Sequence, residues 1–225
     1  MTAIADRWRS VRARVDEACE RAGRAPGDVA IVAVSKTHPA EAVRDAAAAG
    51  ATDFGENYAQ ELAAKRAAAG DVRWHFIGRL QRNKAKLVAG QVALVHAVDS
   101  VELAQELAKR AGGVVQPVLI AVNVAGEETK GGVAPGDAPA LARGIAAVSG
   151  VRLDGLMTMP PPSDDPETSR PAFTALRALR DRIQQELGAP LPVLSMGMSG
   201  DFEVAIACGA THLRIGTAIF GSRTG

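Results

Sequence analysis

An excess of charge of one sign is almost absent from this 225-residue chain: 26 Lys and Arg stand against 25 Asp and Glu, a net of +1. No summed field is available to hold polyanionic nucleic acid or an acidic membrane surface, so small, locally recognised ligands fit better. Cysteine is nearly missing too. Cys19 and Cys208 lie far apart, outside any CxxC or Cys/His spacing, which reads as reduced thiols of a cytoplasmic protein and argues against a zinc site. Long apolar runs are lacking: none is long enough to span a bilayer. The first twenty residues carry Asp6, Arg7, Arg9, Arg12, Arg14, Asp16 and Glu17, where a signal peptide needs an apolar centre. A cytoplasmic location is expected.

What the chain does have is 47% hydrophobic residues, 23 Gly, and a regular alternation of short apolar runs with Ala-, Leu- and Arg-rich amphipathic stretches. After a first helix near Thr2–Arg21, strands are expected at Val29–Ser35, Asp53–Gly55, Arg73–Ile77, Ala93–Ala97, Pro117–Val122, Leu153–Met157, Val193–Ser195 and His212–Ile215. Helices are expected near Ala40–Ala49, Ala59–Ala69, Asn83–Val88, Val101–Ala111, Pro139–Val148, Ser169–Leu187 and Phe202–Cys208, with a short closing turn after Thr217. Eight βα units predict an α/β fold, a single TIM-type (β/α)8 barrel with an extra N-terminal helix; the rival is an open doubly wound sheet. No linker of domain-boundary length interrupts residues 1–225, so one domain is expected, with Pro160–Pro166 its most loop-like segment. In a barrel, functional residues sit at the carboxyl ends of the strands and in the loops that follow.

The run Val29-Ala-Ile-Val-Ala-Val-Ser-Lys36 reads as a buried strand that delivers a lysine to that mouth. Partial desolvation there disfavours the ammonium form and exposes an amine able to condense with an aldehyde. Spacing alone favours a lysine that only snorkels its charge to water. The far end of the chain shifts the balance. Leu194-Ser195-Met-Gly197-Met-Ser199-Gly200-Asp201 offers glycine backbone, hydroxyls and a helix start, a combination suited to phosphate, and Gly216-Thr217 after the last strand repeats it. Turn and N-cap chemistry explains Ser199 or Thr217 singly, and the pair less well.

In His212-Leu-Arg-Ile-Gly216, period two sets His212, Arg214 and Gly216 on one face and Leu213 and Ile215 on the other. The apolar face meets the helices, so Arg214 points inward, toward a ligand or toward an ion pair with Asp53 or Asp99. Asn57, in Gly55-Glu-Asn57-Tyr58, stands at the mouth or in an ordinary turn. His75 with Gly78, Arg79, Gln81, Arg82 and Lys84 reads as a solvated basic helix start rather than an anion site. His38, His75, His96 and His212 fall on four elements without metal-ligand spacing, and Met157 and Met159 read as core.

These segments are similar to a known family. Val-Ser-Lys36-Thr-His-Pro39, Phe54-Gly-Glu-Asn57-Tyr58, Trp74-His-Phe-Ile-Gly78, Leu80-Gln-Arg-Asn-Lys84, Gly155-Leu-Met-Thr-Met159, Leu194-Ser-Met-Gly-Met-Ser199 and Arg214-Ile-Gly-Thr-Ala-Ile-Phe-Gly221 resemble the pyridoxal 5'-phosphate (PLP) homeostasis proteins over nearly the whole chain. That barrel family is related to the amino-terminal domain of alanine racemase. The resemblance implies a Schiff base between PLP and Lys36, a phosphate site at Ser199, Gly216 and Thr217, Arg214 facing the pyridine nitrogen, and Asn57 lining the pocket. Gly200 departs from it, since a larger or acidic residue is expected before Asp201.

The resemblance implies intracellular PLP homeostasis, as carrier or regulator, without an established reaction. Two alternatives remain: a PLP enzyme such as a weak amino-acid racemase, and a Schiff-base aldolase acting on a phosphorylated substrate. Racemisation needs a second base, which alanine racemase draws from a separate domain, and the one tyrosine here, Tyr58, falls early in the barrel. PLP-dependent apo-enzymes are the implied recipients, with no nucleic acid or membrane partner, and a monomer is expected. Lys130, in the loop after strand five, is a second candidate lysine for PLP in transit or simply an exposed loop lysine.

Overall fold

In the computed structural model, which describes residues 2–126 and 131–221, eight parallel strands close into one barrel, β1 (Ala30–Val34), β2 (Asp53–Glu56), β3 (Arg73–Phe76), β4 (Leu94–Val98), β5 (Gln116–Ala121), β6 (Val151–Met157), β7 (Val193–Ser195) and β8 (His212–Ile215). Closure rests on β1 pairing with β8, Val32 opposite Arg214, so the open-sheet rival is excluded. Parallel neighbours need crossovers, and α2 (Ala40–Ala48), α3 (Ala59–Ala68), α4 (Val101–Arg110), α5 (Ala138–Ala146), α6 (Arg170–Leu187) and α7 (Phe202–Ala207) supply most of them. The stretch expected as a helix at Asn83–Val88 is a 3-10 helix, Arg82–Leu87, and the loop at Pro160–Pro166 runs into a 3-10 turn at Pro166–Ser169.

The extra helix α1 (Ala3–Arg21) begins on Thr2, whose hydroxyl accepts the Ala5 N–H at 3.4 Å. Its buried Trp8, Val11, Val15 and Cys19 recur every three to four residues and form one stripe against the main core. Arg7 donates to the carbonyls of Ile219, at 2.7 Å, and Phe220, at 3.3 Å, in the one-turn helix α8 (Thr217–Phe220) that follows β8. Those carbonyls, left open by so short a helix, gain partners.

Strand period sorts side chains between two layers. Ile31, Ala33, Phe54, Trp74, Phe76, Leu213 and Ile215 face the helices in the main core. A smaller apolar cluster, Leu94, Ala97, Leu119, Ala121, Met157 and Val193, stands apart from it. The opposite parity also carries Asp53, His75, His96, Ser195 and Arg214, all buried. The interior is therefore part apolar packing and part polar chain, an arrangement tolerated only when its polar groups find partners.

Candidate cofactor site

All six residues singled out above, Lys36, Asn57, Ser199, Arg214, Gly216 and Thr217, line one cavity of about 430 Å³ at the carboxyl ends of the strands. Period two sets Lys36 on the same side of the chain as Val32 and Val34, and the side chain is partly buried. The chain turns sharply next to it: Thr37, at φ 66°, is the one non-glycine residue with positive φ among the described residues. For a β-branched residue that conformation is strained and must be held from outside.

The holding groups are in place. The Lys65 ammonium donates to the Ser35 carbonyl at 2.8 Å, to Glu56 Oε1 at 2.6 Å and to Glu61 Oε2 at 3.0 Å. Glu61 Oε2 also accepts the Thr37 N–H at 3.0 Å, and the Ser35 hydroxyl donates to Glu56 Oε1 at 2.7 Å. The carbonyl before Lys36 and the N–H after it are thus tied to one buried cluster. Burial pushes the Glu56 carboxyl up, against the pull of Lys65 and Ser35.

Asn57 sits one residue beyond β2, and its Oδ1 is buried with no hydrogen-bond partner. Gly78 lets the next loop close over it, since a Cβ there would fall 2.1 Å from the Asn57 carbonyl oxygen. On the opposite wall, Ser199 accepts the Ala218 N–H at 3.3 Å, which joins the β7 loop to the first turn of α8. The β7 loop turns at Gly197, with φ +93°, where a Cβ would meet Ala205 at 2.6 Å. Asp201 then accepts the Met198 N–H at 2.7 Å and the Ser169 hydroxyl at 2.8 Å. Those two bonds stiffen the loop in which Gly200 stands, where the family pattern has a larger or acidic residue; Gly200 itself has open space around its Cβ position.

Arg214 is buried, and neither Asp53 nor Asp99 accepts from it. Its Nη1 donates to Ser195 Oγ at 2.6 Å and its Nη2 to the Thr158 carbonyl at 2.8 Å. The ion pair offered as an alternative fails because Asp53 is occupied by His75 and Arg73, at 2.9 and 2.7 Å, while Asp99 faces the exposed Arg79. Burial lowers the guanidinium to about 10, partly offset by Asp201, so it stays charged at neutral pH.

Several assignments change. His75 belongs to β3 and to the barrel interior, not to the basic stretch that follows, and it meets His96 and His212 with ring centroids 5.2 and 5.9 Å away. The three form no metal-binding group among the described residues. Met157 and Met159 line the cavity, and Met159 is 48% exposed. Lys130 lies outside the described residues. A larger neighbouring cleft of about 860 Å³ shares Asn57, Arg79 and Asp99 with the cavity but reaches neither Lys36 nor Arg214.

The interior histidines make stability depend on pH. Burial and the charges of His75, His212 and Arg214 hold His96 well below its usual 6.5, and burial with His75 brings His212 to about 4. Both folded values are depressed, so the unfolded chain binds more protons below about pH 6.5 and stability falls as pH drops. Asp53 adds to the loss below about pH 4: burial tends to raise its carboxyl, but hydrogen bonds from His75, Arg73 and Thr52 outweigh that and hold it low. The urea midpoint is expected to be level above about pH 7 and to decline toward pH 5. His212→Asn should lessen the accompanying fall in unfolding free energy by up to about 1.4 kcal/mol per pH unit. A midpoint unchanged between those pH values contradicts this reading.

A closed barrel with its lysine, buried guanidinium and hydroxyl-bearing loops gathered at one mouth defines the class of (β/α)8 barrels whose ligand site lies at the carboxyl ends of the strands. The family model described as the alanine racemase N-terminal domain matches residues 3–224, and the chain belongs to that family. It is 49% identical over 222 residues to the pyridoxal phosphate homeostasis protein of Aquifex aeolicus, covering 97% of both chains. Its identity to the pyridoxal phosphate homeostasis protein of Pseudomonas aeruginosa is 46%, over 99% of this chain and 97% of that one. The structure of PipY from Synechococcus elongatus with PLP bound superposes with a TM-score of 0.85 at 36% identity, over 97% of this chain and all of that one.

Proposed function

We propose that the chain binds PLP as a Schiff base on Lys36 and serves in intracellular PLP homeostasis, as a cytoplasmic carrier or regulator, with residues 1–225 working as one domain. The observation that carries this reading is the convergence of Lys36, Asn57, Ser199, Arg214, Gly216 and Thr217 on one cavity. The names of the relatives and the PLP bound to PipY support it. The cavity fits the group. Its volume lies in the range of small-ligand pockets, and the unpartnered Asn57 Oδ1 is an acceptor that a ligand donor completes.

When bound, PLP supplies an aldehyde for the lysine and an aromatic ring that withdraws electrons. Lys36 offers the amine. Ser199, Gly216 and Thr217 would hold the phosphate, Asn57 would complete the wall beside the lysine, and Arg214 would present its charge to the ring nitrogen. A guanidinium there disfavours protonation of that nitrogen and weakens electron withdrawal by the ring. No helix of the described residues is long and apolar enough to cross a membrane. The proposed partners are PLP and, transiently, PLP-dependent apo-enzymes, with the chain a monomer.

The test loads the protein with PLP and follows transfer to an apo-enzyme, alongside turnover of both enantiomers of an amino acid. Transfer with turnover no faster than free PLP is expected. Turnover well above free PLP contradicts the carrier reading.

A further inference from the structure

The interior of the barrel contains a polar chain that the cavity does not account for. Arg214 Nη1 reaches Ser195 Oγ at 2.6 Å, Ser195 Oγ reaches His96 Nδ1 at 2.8 Å, His96 Nε2 reaches His75 Nδ1 at 2.9 Å, and His75 Nε2 reaches Asp53 Oδ1 at 2.9 Å. Every member is buried. Beyond Asp53 stands Arg73, at 2.7 Å, with a side chain 66% exposed at the amino-terminal end of the barrel. The chain therefore runs from the cavity through the barrel to solvent at the opposite end.

Its two ends fix its direction. Arg214 can only donate, so Ser195 Oγ accepts from it. Asp53, ionised, can only accept, so the proton on His75 is at Nε2. A doubly protonated His75 would reverse the middle links and make both Arg214 and His96 donate to Ser195 Oγ, leaving the Ser195 hydroxyl hydrogen without an acceptor among those two partners; with both rings neutral, His75 Nδ1 is bare and accepts from His96 Nε2–H. His96 Nδ1 is then bare and accepts the Ser195 hydroxyl. Each link has one donor and one acceptor, and none is left over. A proton added to His96 would place a second buried cation beside the Ser195 hydroxyl that Arg214 holds, which burial and the neighbouring charges oppose.

We infer that Ser195, His96, His75 and Asp53 are positioning residues for Arg214, a one-way hydrogen-bond chain that fixes the guanidinium against the cavity wall. This rests on the reading that the cavity takes PLP. With both Nη groups tied down, to Ser195 and the Thr158 carbonyl, the guanidinium cannot turn away from the cavity without breaking two charge-assisted bonds. Preorganised donors of this kind cost no reorientation when a ligand arrives.

The discriminating experiment compares affinity for PLP with affinity for an analogue that has carbon in place of the ring nitrogen. Loss of phosphate or wall contacts weakens both ligands alike, whereas loss of Arg214 orientation affects the ratio. Wild type is expected to prefer PLP by at least about tenfold. His75→Phe should collapse that preference, and His75→Gln, which keeps a donor and an acceptor, should restore most of it. An unchanged preference in His75→Phe overturns the inference, as does a wild type that binds both ligands equally. Binding of neither ligand overturns the PLP reading itself. Nitrogen-15 NMR of the unloaded wild type tests the chain without any variant: both His75 and His96 must carry their proton on Nε2, and an Nδ1–H tautomer at either overturns it.

Discussion

Lys36→Ala is expected to abolish the visible absorption band that the wild type acquires with PLP, while leaving the thermal unfolding midpoint within a few degrees. The amine is the one atom on the cavity wall proposed to bond covalently with the ligand, and alanine removes it without touching the groups that shape the turn. The Ser35 carbonyl and the Thr37 N–H keep their partners, Lys65 and Glu61, because both bonds run through the backbone. PLP can still enter and place its phosphate, so a weak association that leaves the spectrum of free PLP unshifted should survive in the variant. A band of wild-type intensity in Lys36→Ala would move the Schiff base to another lysine.

Lys65→Met has the largest expected effect on stability, about 3–5 kcal/mol. Lys65 and Glu56 form a buried pair, with side chains 8% and 0% exposed. Removing the ammonium leaves the Glu56 carboxylate with only the Ser35 hydroxyl, in a site where its Oε2 already has no partner. It also releases the Ser35 carbonyl and Glu61 from the cluster that holds Thr37 in its strained conformation. For a chain of this length the unfolding midpoint should fall by roughly 10 °C. Lys65→Met combined with Glu56→Gln should recover much of the loss, because no unpaired charge stays buried. PLP affinity should remain weakened in both, since the turn beside Lys36 loses its support. A single variant that unfolds like wild type would show that the pair contributes little to this turn.

The pattern of the sequence made some parts of this molecule readable and hid others. Period two assigned the inward face of β8 correctly because Leu213 and Ile215 are apolar and Arg214 is not, a contrast visible in four residues. The same rule applied to Trp74-His75-Phe76 places His75 inward, but the basic residues that follow drew it into the wrong segment. β4 was displaced by one residue, where the pairing with β5 shifts register between Val95 and Val98 and Ala97 joins the interior cluster. The segment Asn83–Val88 reads as helix by composition, yet what forms there is a 3-10 helix, Arg82–Leu87. Strand ends and loops marked Lys36, Ser199, Gly216 and Thr217, and period two marked Arg214, but spacing alone favoured an inert Lys36 and left Asn57 equally an ordinary turn; the resemblance singled those two out, and the fold brings all six to one cavity. Lys65 was not: it sits on α3 among Ala and Arg residues, and nothing local distinguishes a lysine that turns inward toward Glu56 from one that faces water.

The most direct measurement is to reduce the PLP-loaded protein with borohydride, digest it, and locate the pyridoxyl group by mass spectrometry. Binding at the mouth of this barrel predicts the label on Lys36, at close to one per chain. A label spread over several lysines, concentrated on another one, or absent altogether would contradict it.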